Sequence, residues 1–227
     1  MEKLNNSSKF NVIFRCDAAK IPEIGTGHLY RCIGIANYLN KKFYIKKKKI
    51  CFLIKTSNKF YIGFRILKKY NFQIIKLDTK LKNYSKKESI ILSKFKSKLL
   101  IIDRLGKVNL NFLRKIRKNY IKKVIIDDNS NYRHFFDLSL NPLIRNVKKK
   151  KNSKIGFRYL LLSAKKIKGS KVNKNNIFLF FGGFDKNNFA NKILILLNQI
   201  NYKLNIYVHE NYKKKINKKK SNHKIFY

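Results

Sequence analysis

A chain of 227 residues is long enough for one large domain, or for one complete domain and part of a second. Its 44% hydrophobic content is typical of globular proteins, and no apolar run approaches the ~18 residues that a membrane span needs. The unusual feature is the charge, with 55 basic residues against 11 acidic ones for a net +44.

That charge invites a nucleic-acid reading, because lysine and arginine neutralise phosphates. The composition favours a simpler one. The basic residues are 46 Lys and 9 Arg, spread from Lys3 to Lys224, and they accompany heavy use of Asn, Ile, Phe and Tyr, the amino acids of A/T-rich codons. Base reading and bidentate phosphate grips draw on arginine. The excess is therefore read as compositional drift, which still attracts an anionic substrate such as a sugar nucleotide.

The elements follow in order along the chain. Residues 10–14 are short, apolar and β-prone, and a loop covers 16–27. From His28 the apolar residues Leu29, Cys32, Ile33, Ala36 and Leu39 recur at helical spacing. Strands are predicted at 50–54, 72–77, 99–102, 124–126 and 138–140, with helices at 61–70, 85–95 and 109–118 between them. Residues 146–154 read as a lysine-rich linker or exposed loop. A strand at 177–181, a helix at 187–197 and a strand at 204–208 then restart the pattern before a lysine-rich tail. Two strands and a helix or two are too little to bury a core alone.

Strands alternating with helices imply an α/β fold built on a mostly parallel sheet. The expected organisation is an N-terminal α/β domain over 1–150, an interdomain segment over 151–175, and the incomplete start of a second α/β domain over 176–227. Three cysteines, Cys16, Cys32 and Cys51, form no Cys-x-x-Cys pair, so neither a disulfide framework nor a zinc site is expected. The polar N-terminus lacks an apolar signal core, and a soluble, cytoplasmic protein is expected.

Ligands of parallel sheets bind beyond the carboxyl ends of the strands. Asp17, Asp103, Asp127, Asp128 and Asn141 all fall at predicted strand ends. They mark a candidate site, or they are polar only because strand ends meet water. Gly25-Thr26-Gly27-His28 lies between the first strand and the first helix. Glycines let the backbone approach a ligand, and the helix N-terminus offers free N–H groups to an anion. The same positive helix end favours a neutral imidazole, so His28 is a candidate general base for a water or hydroxyl nucleophile; the alternative is a histidine that merely caps the helix. Gly182-Gly183 recurs in a similar turn before Asp185. The group Asp127, Asp128, Arg133, His134, Asp137 and Asn141 fits no standard zinc spacing and is read as a hydrogen-bonding shelf or a structural loop network. His209 and His223 are read as non-functional, and the lysine runs as solvated surface.

The stretch from Phe14 through Asp17 to Ala19, and then Ile24-Gly25-Thr26-Gly27-His28-Leu29-Tyr30-Arg31-Cys32, resembles the N-terminal signature of the pseudaminic-acid-pathway UDP-sugar hydrolases, a group related to the spore-coat polysaccharide biosynthesis proteins and to MurG-type glycosyltransferases. The likeness continues through Ile126-Asp127-Asp128, Arg133-His134, the segment 156–162 and Phe181-Gly182-Gly183-Phe184-Asp185. Pro22 and Glu23 depart from the pattern as an insertion, as does the bulky Phe184. The resemblance implies a GT-B fold in which both domains, 1–150 and the incomplete 176–227, are Rossmann-like, and hydrolysis of a UDP-linked 2,4-diacetamido-2,4,6-trideoxy sugar to UDP and free sugar. In it His28 accepts the proton of the attacking water. The substrate is bound by residues drawn from Arg15, Asp17, Gly25, Thr26, Gly27, Arg31, Asp103, Asp128, Asn141, Gly182, Gly183 and Asp185, without metal or cofactor. A glycosyltransferase of the same architecture and a non-catalytic remnant are the alternatives. The shortened second domain leaves room for a partner chain that completes it.

Overall fold

The computed structural model describes residues 10–21, 23–142, 151–161, 173–182, 185, 187–216 and 221–227. Contacts divide the chain into two units, one of residues 1–20 and 26–163, the other of residues 21–25 and 164–227.

In the first unit β1 (Val12–Cys16), β2 (Ile50–Lys55) and β4 (Ser97–Asp103) are nearly continuous apolar runs, as befits parallel strands covered on both faces. With β3 (Gln73–Leu77), β5 (Tyr120–Ile126), β6 (Leu138–Asn141) and β7 (Ser153–Ile155) they form, among the described residues, a parallel seven-stranded sheet in the order β3-β2-β1-β4-β5-β6-β7. The strand order reverses between β1 and β4, where Cys16 pairs with Asp103. That switch point is where a doubly wound sheet leaves a crevice for a ligand.

Alternate residues of each strand supply two cores. Val12, Phe14, Phe52, Ile54, Ile101 and Ile126 face α1 (Gly27–Phe43) and α2 (Tyr61–Lys68), and pack on Leu29, Cys32, Ile33, Ala36 and Leu67. Ile13, Leu53, Leu100, Ile102 and Ile125 face α3 (Lys86–Ser93) and α4 (Leu110–Ile116), against Leu92, Phe112, Leu113 and Ile116. Phe14 and Phe52, directly paired across β1 and β2, stack with centroids 4.8 Å apart. The caps are local. Ser85 accepts from the Glu88 N–H at the start of α3, and Asn109 accepts from the Phe112 N–H at the start of α4.

Two strands differ from the sequence reading. β5 begins at Tyr120, four residues before the expected start, because exposed Ile121 and Lys122 conceal its first half. The expected loop of 146–154 ends in β7, which pairs in parallel with β6; residues 146–150 lie outside the described residues.

The second unit holds β8 (Asn176–Leu179), α5 (Phe189–Leu197), β9 (Asn205–Val208) and β10 (Lys224–Phe226), with the three strands parallel in the order β10-β9-β8. The lysine-rich tail therefore contains a third strand, contrary to expectation, and it brings in a core. Tyr212 and Ile216, on the helical turn after β9, are buried with Leu179, Ala190, Leu194, Leu204, Ile206 and Val208. His223 joins the same packing as a structural group, its Nε2 2.7 Å from the Leu197 carbonyl oxygen.

Candidate functional site

The Gly25-Thr26-Gly27 turn delivers the chain into α1. Gly25 has φ +57°, a left-handed conformation that L side chains rarely adopt, and its N–H donates to the Ile21 carbonyl at 2.9 Å. A methyl group placed on Gly27 meets no atom within 4 Å. Thr26 is the N-cap residue, and its side chain makes no capping bond. The first-turn N–H groups of α1 thus receive no side-chain cap from Thr26.

His28 sits in that first turn, and its Nδ1 lies 2.7 Å from Oδ1 of Asp103, the last residue of β4. A contact this short to a carboxylate requires the proton on Nδ1, which then donates to Asp103. Nε2 is left as the basic nitrogen, with no hydrogen-bond partner among the described residues, on a side chain that is 17% exposed.

Asp103 is fully buried and does not reach solvent. One α1 turn beyond His28, Arg31 grips it with two bonds, Nε to Oδ2 and Nη2 to Oδ1, each 2.6 Å. Arg31 also donates from Nη1 to Oδ2 of Asp127 at 2.5 Å. Burial works against the guanidinium charge, but the bonds to Asp103 and Asp127 outweigh it and push the Arg31 pKa up. Cys32 donates weakly to Asp103 Oδ2 at 3.8 Å. Burial, then Cys16 and Asp103, push its thiol up, so it stays protonated and is no nucleophile.

Asp127 is marked at a strand end in the sequence but is not among the expected substrate-binding residues. Along a regular strand it would point to the α3/α4 face, opposite Ile126; its φ of +52° breaks that alternation, and its carboxylate meets Arg31 of α1. Asp128 instead takes a structural position. Its Oδ1 accepts from the Ser130 N–H at 2.8 Å and from the Ser130 hydroxyl, and its Oδ2 accepts from the Val108 N–H at 3.4 Å.

Arg15 and Asp17 lie on the other face of the sheet. The Arg15 side chain is fully buried and makes a bidentate pair with Asp17 at 2.7 and 2.9 Å, while its Nε donates to Glu88 Oε1 at 2.6 Å. Glu88 Oε2 accepts from Arg104 at 2.8 Å, and Lys55 donates to Asn83, which also receives an Arg15 bond. Burial opposes the Asp17 charge, but Arg15 overrides it and holds the carboxyl below its ordinary range. This network fastens β1, β2 and α3 together at the carboxyl end of the sheet.

The remaining expected residues are dispersed. Asn141 is fully buried and donates to the Ser139 hydroxyl at 2.9 Å. Arg133 is buried and donates to the Ser130 carbonyl, His134 to the Asn131 carbonyl, and Asp137 accepts from Lys122 and from the Lys123 N–H, so these residues do not converge on one point. In the second unit Asp185 caps α5, accepting from the Phe189 N–H at 2.9 Å and the Ala190 N–H at 2.7 Å. Gly182, with φ +79°, gives its carbonyl to the Tyr212 hydroxyl. Gly183 and Phe184 of that motif, and Pro22 of the first loop, lie outside the described residues. Among the described residues no three His, Cys, Asp or Glu side chains are grouped as a metal site.

Of the residues marked in the sequence, the structure thus brings together His28, Arg31, Asp103 and Asp127 in the first unit. A cavity of about 530 Å³ opens along α1, lined by Tyr30, Gly34, Asn37 and Tyr38 among others, and of His28, Arg31, Asp103 and Asp127 only Arg31 lines it. No helix among the described residues is long and apolar enough to cross a membrane.

The fold is α/β and GT-B-like, with parallel sheets in both units and the switch point beside the histidine. It is similar to the crystal structure of Acinetobacter baumannii MurG, with a TM-score of 0.54 and 13% sequence identity over 95% of this chain and 65% of that one. The chain thus spans 65% of the length of that MurG chain, and at this identity the likeness speaks for the fold alone. No family model and no curated protein sequence matches the chain.

Proposed function

We propose that the protein is a nucleotide-sugar enzyme in which His28, held by Asp103, activates the attacking oxygen. The observation that carries this reading is the 2.7 Å contact between His28 Nδ1 and the buried Asp103 carboxylate. It leaves Nε2 as a base in the first turn of a long helix, where the helix dipole and uncapped N–H groups favour an anionic ligand.

In the proposed step the oxygen of a water bonds to the anomeric carbon while its proton passes to Nε2. The bond from that carbon to the diphosphate breaks, and UDP leaves with the electron pair. Asp103 stabilises the imidazolium that forms, as the carboxylate of a hydrolytic triad does. Arg31, bonded to both oxygens of Asp103, keeps that carboxylate oriented. The resemblance of the Gly25–Cys32 stretch supports a UDP-linked 2,4-diacetamido-2,4,6-trideoxy sugar as the substrate. The MurG-like fold supports transfer at least as well, with an acceptor hydroxyl in place of water.

UDP release from that sugar nucleotide, measured with and without a candidate acceptor, separates the two. Release in water alone, matched by free sugar, supports hydrolysis. Release that requires an acceptor assigns transfer. If neither condition releases UDP at a rate above the buffer control, the proposal fails.

A further inference from the structure

A second cavity, of about 670 Å³, lies on the opposite face of the same sheet from His28. The parity of β5 fixes its side. Lys123 lines it and alternates with Val124, so Lys123 shares the face of Ile125, which packs in the α3/α4 core, whereas His28 belongs to α1 on the other face. The volume is that of a small-molecule pocket.

Its lining combines two chemistries. Arg114 and Arg117, three residues apart at the end of α4, are both exposed and in no ion pair among the described residues. Lys123 adds a third cation, partly neutralised by Asp137 at 3.6 Å. Opposite them Phe135 is 50% exposed and lies against the His134 ring, with centroids 4.2 Å apart. His134 is oriented by its Nδ1, which donates to the Asn131 carbonyl at 2.7 Å, so its remaining nitrogen is available to a ligand.

The arginines carry weight because lysine outnumbers arginine 46 to 9 in this chain. Of 9 arginines, Arg15, Arg104 and Arg133 are buried, Arg31 is locked to two carboxylates, and Arg65 and Arg158 are exposed singly on other elements. Two exposed arginines one turn apart on a single pocket are therefore not explained by the general lysine excess. Guanidinium forks grip phosphate bidentately, and an exposed aromatic pair offers a stacking platform for a base.

We infer that this pocket binds a nucleoside phosphate, with the phosphate on Arg114 and Arg117 and the base on Phe135 and His134. The inference does not depend on the reading of His28. The test is calorimetry of the full chain with ADP and with inorganic pyrophosphate. The variants are Arg114→Ala/Arg117→Ala, Phe135→Ala, and the charge-matched Lys48→Ala/Lys49→Ala on the far turn before β2. The arginine pair is expected to weaken both ligands by about tenfold or more, given the strength of charge-assisted bonds to phosphate. Phe135→Ala should weaken ADP and leave pyrophosphate unchanged, and the lysine pair should change neither. Equal losses in the arginine and lysine variants would show attraction by diffuse charge and overturn the site, as would unaltered ADP binding in the arginine variant.

Discussion

His28 Nδ1 and Asp103 Oδ1 are 2.7 Å apart although 75 residues separate them in the chain. The pairing exists because β1 and β4 are neighbours at the sheet's switch point, so the helix that follows β1 starts beside the end of β4. The proposed chemistry depends on this contact, since it decides which imidazole nitrogen is basic.

Replacing Asp103 by Asn removes the anionic acceptor for Nδ1–H. Nitrogen NMR of the imidazole should show a single tautomer, protonated at Nδ1, in the wild-type protein and a mixed or reversed population in Asp103→Asn. On the proposed mechanism kcat should fall by roughly 100-fold or more, with KM moving less. An unchanged tautomer with unchanged kcat would remove Asp103 from its positioning role.

Arg31 holds two carboxylates, one of them fully buried. Arg31→Met leaves Asp103 without its main counter-charge and should destabilise the first unit by roughly 3–5 kcal/mol, the usual cost of breaking a buried pair from one side. Chemical denaturation reads this directly. Asp103→Asn combined with Arg31→Met should be less damaging than the sum of the two, because the buried charge left unpaired is then gone.

Acid should loosen the Arg15–Asp17 fastening. The folded Asp17 pKa lies below the ordinary aspartate value, so its contribution to stability is fully present above that ordinary value and is lost as pH falls through the lower, folded one. Asp17→Asn should therefore lower stability at neutral pH and flatten the dependence below about pH 4. A denaturation midpoint of the variant equal to that of the wild type at pH 7 would contradict this.

Cys16, Cys32 and Cys51 are all buried, and none is in a disulfide. A thiol reagent should label none of them in the native protein at neutral pH and all three once the chain is unfolded. Rapid native labelling of Cys32 would contradict the closed packing under α1.

Much of this was legible in the sequence because parallel strands buried on both faces read as short apolar runs, as in Ile50–Lys55, and α1 shows its period through Leu29, Cys32, Ile33 and Ala36. The three-residue spacing of His28 and Arg31 also puts both on one helix face. What faces them was not legible. The pairing of β1 with β4 is a long-range choice, and Asp127 reaches Arg31 only through a left-handed backbone that no local pattern announces. Arg15 and Asp17, two residues apart at a strand end, looked like ligand-binding groups; in the fold they satisfy each other, a bond that depends on Glu88 arriving from α3 to complete the set. β10 was hidden because three residues among lysines give no periodicity.

The central claim is that Nε2 of His28 takes a proton from the attacking oxygen. The direct measurement is the rate of UDP release by His28→Ala against wild type, under the condition that supports turnover and with thermal unfolding of both recorded. The account predicts loss of turnover by about 100-fold or more with the unfolding midpoint little changed. Turnover at the wild-type rate in a folded His28→Ala protein would contradict it.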